Sequence, residues 1–424
     1  MSNKVLVVII IVLCAFIGTW IGLSEVNAQR EIPFIANNDF LSHPFSAFKK
    51  ENENKIDSSK KQDNETGNGE NAVEPVVKQE ITPVASNTSK SKNNDIHAIY
   101  VTGWSIGTQD VRDSLIRNLK DNQFNAIVID IKDENGQLTY DSKVQTAIDV
   151  EASKRMVSNM SSVLDELHMN GIYVIGRIVT FKDHILASSP KTVVAFREED
   201  ESVWKDYNDE QWPNPYNKNS WEYPINLAKE AAQLGFDEIQ FDYVRFPLAE
   251  GNTSTIAYGF ESNKKTKADI ICDFLIEATK QLKPYNVKVS ATIAGSATQK
   301  AGDSQNIGQD FQRMAAIVDT ICPIIYPSDY ANGAYDVAKP DLNPYEIVYH
   351  ALKDAKTLVS DTSKIRPYLQ DFTATWLGEG NYSNNSLEYV TEEVQAAFDN
   401  GIYGFSLWDS SNKYHYGALN QAER

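Results

Sequence analysis

A run of polar residues inside what should be an apolar strand is the first place in this sequence where chemistry can be read. The segment Glu238-Ile239-Gln240-Phe241-Asp242-Tyr243-Val244-Arg245-Phe246-Pro247 begins with strict polar–apolar alternation. On a strand, that period sends Ile239 and Phe241 to one face and Glu238, Gln240 and Asp242 to the other. A parallel strand covered on both faces reads as continuous Val, Ile and Leu, so three polar residues pointing one way need a reason. Burying a carboxylate is costly unless it is paired or used. Two reasons are open: an internal Asp–Arg or Asp–Lys network that fixes register, or a reactive carboxylate at the strand end. Arg245 falls near that same end.

The pattern recurs. Ala126-Ile127-Val128-Ile129-Asp130-Ile131-Lys132-Asp133 places Asp130 and Lys132 on one face, with Asp133 and Glu134 entering the loop. Arg177 adds a cation on the next strand. Acids also close Tyr326-Pro327-Ser328-Asp329-Tyr330, Leu369-Gln370-Asp371 and Trp408-Asp409. Any one of them alone reads as a solvated loop acid. Gathered at the ends of several strands, they read as a carboxylate-lined cleft. Trp104, Tyr243, Tyr326, Tyr330, Trp376 and Trp408 accompany them. Single tryptophans more often pack than bind, but apolar sugar faces stack on such rings, and acids mixed with aromatics suit carbohydrate.

Something must hold these strand ends together. The strand candidates are His97–Ser105, Ala126–Asp133, Tyr173–Phe181, Phe236–Pro247, Val287–Gly295, Thr320–Pro327, Ile365–Thr373 and Gly401–Asp409. Between them lie apolar stripes at helical spacing, for example Val111, Leu115, Ile116, Leu119 and Ile270, Ile271, Phe274, Leu275, Ala278. Gly171, Gly235 and Gly401 stand where a helix must turn into the next strand, a place that calls for a left-handed residue. Eight strands with helical crossovers predict an α/β fold, a single (β/α)8 TIM barrel over 96–424, with active loops at the C-terminal strand ends. An open doubly wound sheet is the alternative, disfavoured because no G-x-G-x-x-G follows a strand. The connection at about 182–220 is long and carries Trp204 and Trp212, which predicts an insertion over the barrel mouth. Only twelve residues follow Asn412, so the last helix should be short or replaced.

The first 95 residues are of another kind. Val5 to Leu23 is an uncharged run of 19 residues, close to the roughly 20 that span a bilayer. Val26-Asn27-Ala28 also offers a cleavage site, so residues 1–28 read as an uncleaved anchor or a signal peptide, and the chain as exported either way. From Lys49 to Asn94 there is no Phe, Trp or Tyr, and 29–95 is expected to be a disordered linker. A formal net charge of −18 excludes nucleic acid as a natural partner, and the membrane is reached only through the N-terminal segment. Three scattered cysteines give neither a disulfide framework nor a zinc site. The six histidines show no H-x-H or H-x-x-x-H spacing, so no metal or other cofactor is called for, and carboxylate chemistry remains. Oligomeric state is not legible.

The run Gly235 to Pro247 resembles the signature of the Putative glycosyl hydrolase domain family of exported bacterial proteins. Ile129-Asp130-Ile131-Lys132-Asp133, Asn214-Pro215-Tyr216-Asn217 and Pro367-Tyr368-Leu369-Gln370-Asp371-Phe372-Thr373 are similar to its other shared stretches, over essentially His97 to Asn412. The resemblance implies a barrel distantly similar to the α-amylase and α-galactosidase superfamilies. There a strand-four aspartate is the nucleophile, which maps to Asp242. The α-galactosidase-like enzymes draw their acid/base from strand six, where this chain has Asp329. The glutamate that ends strand five in amylases has no counterpart in Val289-Ser290-Ala291-Thr292-Ile293-Ala294.

The expected activity is therefore hydrolysis of O-glycosidic bonds in an extracellular or cell-wall polysaccharide. Asp242 would be the nucleophile and Asp329 the proton donor, with Asp371 second and Glu134 third in line. Asp130, Lys132, Arg177, Gln240 and Tyr243 are expected around the substrate, with Arg245, Tyr326, Gln370, Asp371 and Trp408. Arg245 or Lys132 is expected to hold Asp242 ionised. The alternative is a non-catalytic glycan-binding barrel, and the missing strand-five acid favours it. An amide or ester hydrolase is a weaker third reading for want of metal ligands or an elbow serine.

Overall fold

The computed structural model describes residues 95–247, 253–299 and 304–423. The expected anchor and linker lie outside them, apart from Asp95. Among the described residues no helix is long and apolar enough to cross a membrane.

Eight parallel strands close a barrel: β1 (His97–Val101), β2 (Ala126–Lys132), β3 (Tyr173–Val179), β4 (Glu238–Asp242), β5 (Lys288–Ala294), β6 (Thr320–Ile324), β7 (Tyr368–Gln370) and β8 (Phe405–Trp408). Each pairs with its neighbours in sequence, and β8 returns to β1 through His97–Phe405 and Ile99–Leu407. Every strand falls within its predicted segment. Closure excludes the open-sheet alternative. The crossovers carry α1 (Gln109–Asp121), α2 (Met160–Met169), α3 (Asn219–Leu234), α4 (Lys267–Leu282), α5 (Phe311–Ile317), α6 (Pro344–Lys356) and α7 (Leu387–Asp399). The last, α8 (Ala418–Gln421), is a single turn, as the few residues after Asn412 predict.

Gly171, Gly235 and Gly401 take φ of +74°, +112° and +72°, so the three helix-to-strand turns are made as expected. Asn159, Thr266 and Asp310 cap α2, α4 and α5 with their side chains, and Thr266 and Asp269 complete a capping box. On β4 the alternation holds. Phe241 faces outward, its ring 5.3 Å from Phe274 of α4, which also meets Phe181 and Trp221. That outward cluster fixes which residues of β4 face in. Register on a strand is all or nothing, so Asp242 faces inward because Phe241 cannot.

The connection between β3 and α3 contains a short helix, His184–Ser188, and a two-residue strand, Arg197–Glu198. That strand pairs antiparallel with Ile256–Ala257 from the connection after β4. Trp204 and Trp212 are buried in this region, against Phe196 and Tyr243 respectively. On the other side, the chain after β8 is stitched to β1. Asn412 accepts from the Thr102 amide at 3.1 Å, and Tyr414 donates to the Tyr100 carbonyl at 2.5 Å.

Candidate active site

The inward residues of β4 sit at three levels. Lowest is Glu238, which accepts from both terminal nitrogens of Arg366, from the Ser290 hydroxyl and from Tyr173 at 3.3 Å. In the middle, Gln240 accepts from Tyr368 at 2.6 Å and donates to the Cys322 sulfur. At the top, Asp242 accepts from Arg177 Nε at 2.6 Å, from its neighbour's amide, Tyr243 N, at 2.7 Å, and from the Thr292 hydroxyl. Tyr243 has φ of +45°, a left-handed conformation uncommon for a residue with a side chain. It places an amide on the carboxylate it follows. Such strain persists only where the surroundings impose it, often beside a functional group.

Arg177 links two carboxylates. Its Nη1 donates to Asp130 at 2.6 Å, and Glu134 approaches the same nitrogen at 3.6 Å. Tyr100 donates to the other oxygen of Asp130 at 2.5 Å. The guanidinium lies 5.0 Å from the Trp408 ring, which stacks on Tyr100 at 3.8 Å. Burial pushes the Asp130 carboxyl up to about 6, opposed by Arg177 and reinforced by Glu134. Arg177 is driven well above its ordinary range by the acids around it, which outweigh its own desolvation.

Asp329 stands in a contrasting environment. It ends the turn Pro327–Asp329 just past β6, and its carboxyl accepts no hydrogen bond from the described residues. Burial first, then the charge of Asp341, push it up to about 7. The turn is held by Gln370, which accepts from the Ser328 amide at 3.1 Å and donates to Asp341 at 2.8 Å. Ser328 Oγ and Glu134 Oε2 are buried without a hydrogen-bond partner among the described residues. The buried phenol of Tyr326 is pushed well above its ordinary range by burial first, then by the charges of Tyr368, Asp329 and Asp242. One carboxylate ringed by donors and one carboxyl without any is an arrangement that separates a nucleophile from a proton donor.

Residues 98–414 match the family described as "Putative glycosyl hydrolase domain". The chain belongs to that family. Among solved structures it resembles the PgaB (BpsB) glycoside hydrolase domain from Bordetella bronchiseptica at 12% identity and a TM-score of 0.58, covering 77% of this chain and 98% of that one. A hypothetical protein from Ruminiclostridium thermocellum is 38% identical over 46% of this chain and 96% of its own, with a TM-score of 0.41. A chitinase from Chromobacterium violaceum is 13% identical over 78% of this chain and all of its own, at 0.47. No curated protein matches the chain. The likeness to the PgaB (BpsB) domain shows a shared fold.

The remaining expected site residues of this family member divide. Lys132 does not share the face of Asp130. The β2–β3 register shifts between Asp130 and Lys132, so Lys132 pairs with Ile178, binds Asp183 and lies 5.1 Å from the Tyr223 ring of α3. An irregularity of this kind cannot be read from alternation alone. The cation on Asp242 is therefore Arg177, not Lys132 or Arg245. Arg245 stacks on Tyr243 and Trp212 and donates to the Phe246 carbonyl. Asp371 has both oxygens engaged, by Asn385 and by the ring and amide of His415, and is fully buried. That leaves Asp371 clamping the loop after β8. Trp408 and Gln240 are buried in the barrel; the exposed tryptophans among the described residues are Trp104 after β1, at 59%, and Trp376 after β7, at 38% and stacked on Phe372.

Tyr100 and Thr292 are the residues that sequence reasoning missed. Ser290 and Thr292 alternate inward on β5 just as Gln240 and Asp242 do on β4, and that period was the available signal. One motif corrects the expectation that an elbow serine is lacking: Gly103-Trp104-Ser105-Ile106-Gly107 has the G-x-S-x-G spacing of a nucleophile elbow. Ser105 lies inside a one-turn helix with Thr102 as its hydroxyl partner and no histidine, so the elbow chemistry is not assembled. No cluster of metal-ligating side chains occurs among the described residues.

Proposed function

We propose that this barrel hydrolyses glycosidic bonds in an extracellular or cell-wall polysaccharide. The observation that carries the reading is the contrast between Asp242, which accepts from three donors, and Asp329, which accepts from none and is pushed up to about 7. Asp242 attacks the anomeric carbon, forming a C–O bond as the glycosidic C–O bond breaks. Asp329 gives its proton to the departing oxygen. It then takes a proton from water, which displaces Asp242 and releases the sugar. Arg177 keeps Asp242 oriented, and Asp130 with Tyr100 orients Arg177. Trp104 and Trp376, exposed on short helical turns after β1 and β7, offer faces on which sugar rings stack. The apolar run Val5–Leu23 supports an exported protein, tethered or released.

The test is to incubate the protein with a panel of bacterial exopolysaccharides and cell-wall glycans and to score new reducing ends. A responding polymer supports the reading and names the substrate class. Tight binding of one glycan with no new ends from any would replace it with a binding barrel.

A further inference from the structure

We propose that Lys182 recognises an anionic substituent on the glycan. This inference rests on the carbohydrate reading above and narrows it to acidic polymers. The strand ladder continues beyond β3: Thr180 N donates to the Asp242 carbonyl at 2.7 Å and Phe181 N to that of Tyr243 at 3.2 Å. Lys182 is thereby carried alongside the residues just past Asp242. Its neighbours Phe181 and Asp183 are both committed to the helix layer, to Phe274 and Lys132. The ammonium of Lys182 lies instead 5.5 Å from the centre of the Tyr243 ring, and the residue is only 8% exposed.

Its charge is unmatched. Arg112 meets Glu166, Lys132 meets Asp183, Arg177 meets Asp130 and Asp242, and Arg366 meets Glu238. Lys182 makes neither ion pair nor hydrogen bond through its side chain with the described residues, and its ammonium, unlike Arg177 Nη2 and Arg366 Nε, is not sealed from solvent. Arg245 lies over the Tyr243 ring at 4.9 Å. In a chain of net charge −18, a cation without an acidic partner close to Asp242 is what an acidic polymer would need in order to approach. The matching ligand chemistry is an oxyanion, a carboxylate or a phosphodiester, on a sugar next to the scissile bond.

The experiment measures binding rather than turnover, on full-length Asp242→Asn protein. Three probes are titrated: a uronic-acid oligosaccharide, its carboxyl-reduced neutral counterpart, and a phosphodiester-bearing glycan. One acidic probe should bind at least about tenfold tighter than the neutral one, and which acid responds identifies the oxyanion. Lys182→Gln should erase that preference and Lys182→Arg should keep it, with added salt weakening only the acidic complex. Equal binding of the acidic and neutral probes overturns this inference and leaves the carbohydrate reading standing, whether or not Lys182→Gln folds. Binding of no probe overturns both.

Discussion

Glu238 and Asp242 lie on the same strand, face the same way and each meet an arginine, yet they belong to different parts of the molecule. Both oxygens of Glu238 are taken by Arg366, with Ser290 and Tyr173 in support, at the N-terminal end of β4. Asp242, at the C-terminal end, shares its arginine with Asp130 and stands beneath the loops. Orphaned polar atoms do not separate the two levels, because Arg366 Nε lacks an acceptor among the described residues just as Ser328 Oγ does. Position does. In barrels the N-terminal end serves stability and the C-terminal end serves chemistry. Charge inside a barrel is therefore no sign of a site until its height along the strand is known.

Mutations that move one end without the other sharpen that contrast. The largest effect is expected from Arg177→Met, which strands two buried carboxylates. It should cost about 3–5 kcal/mol in denaturant unfolding and reduce kcat/KM on any responding glycan by roughly a thousandfold or more. Glu238→Gln should cost a similar 3–5 kcal/mol, because it leaves a buried guanidinium without its counter-charge, yet turnover per folded molecule should stay near native. Turnover lost at native stability would place Glu238 in the site and break the contrast.

Asp329→Asn comes next, with kcat/KM expected to fall about 10²–10⁴-fold and melting temperature to hold or rise. The sign follows from its raised carboxyl. Protonated below about 7, Asp329 donates there, so native activity should fall as pH rises through 7, and this limb should vanish in the variant. For stability, an unfolded aspartate titrates near about 4, so the contribution from Asp329 is full below that and is lost as pH rises through about 7. The smallest effects belong to Trp104→Ala and Trp376→Ala, each weakening glycan binding by about 0.5–1.5 kcal/mol in calorimetry without shifting the melting temperature.

Much of this was legible in the sequence, and for physical reasons. Period-two alternation on β4 and the glycine-punctuated helix ends are local signals, so the barrel and the inward set Glu238, Gln240 and Asp242 could be read directly. What eluded the sequence depends on contacts distant along the chain. The irregularity after Asp130 that turns Lys132 toward Asp183 and the helices follows from how β2 meets β3. The Arg177 bridge between Asp130 and Asp242 needs three strands in register. Asp371 resembles any strand-end acid until the loop after β8 folds His415 onto it. Composition marks which strand ends carry acids, while partner geometry separates structural acids from candidates for chemistry.

The central claim is that Asp242 performs the bond cleavage while Glu238, two turns of alternation below it, only holds the barrel. The most direct measurement places native protein, Asp242→Asn and Glu238→Gln side by side on a responding polymer, scoring reducing-end release together with the melting temperature of each. The account predicts that Asp242→Asn releases nothing above background at a near-native melting temperature, while Glu238→Gln melts earlier and still cleaves. Reducing ends released by Asp242→Asn at the native rate would contradict it.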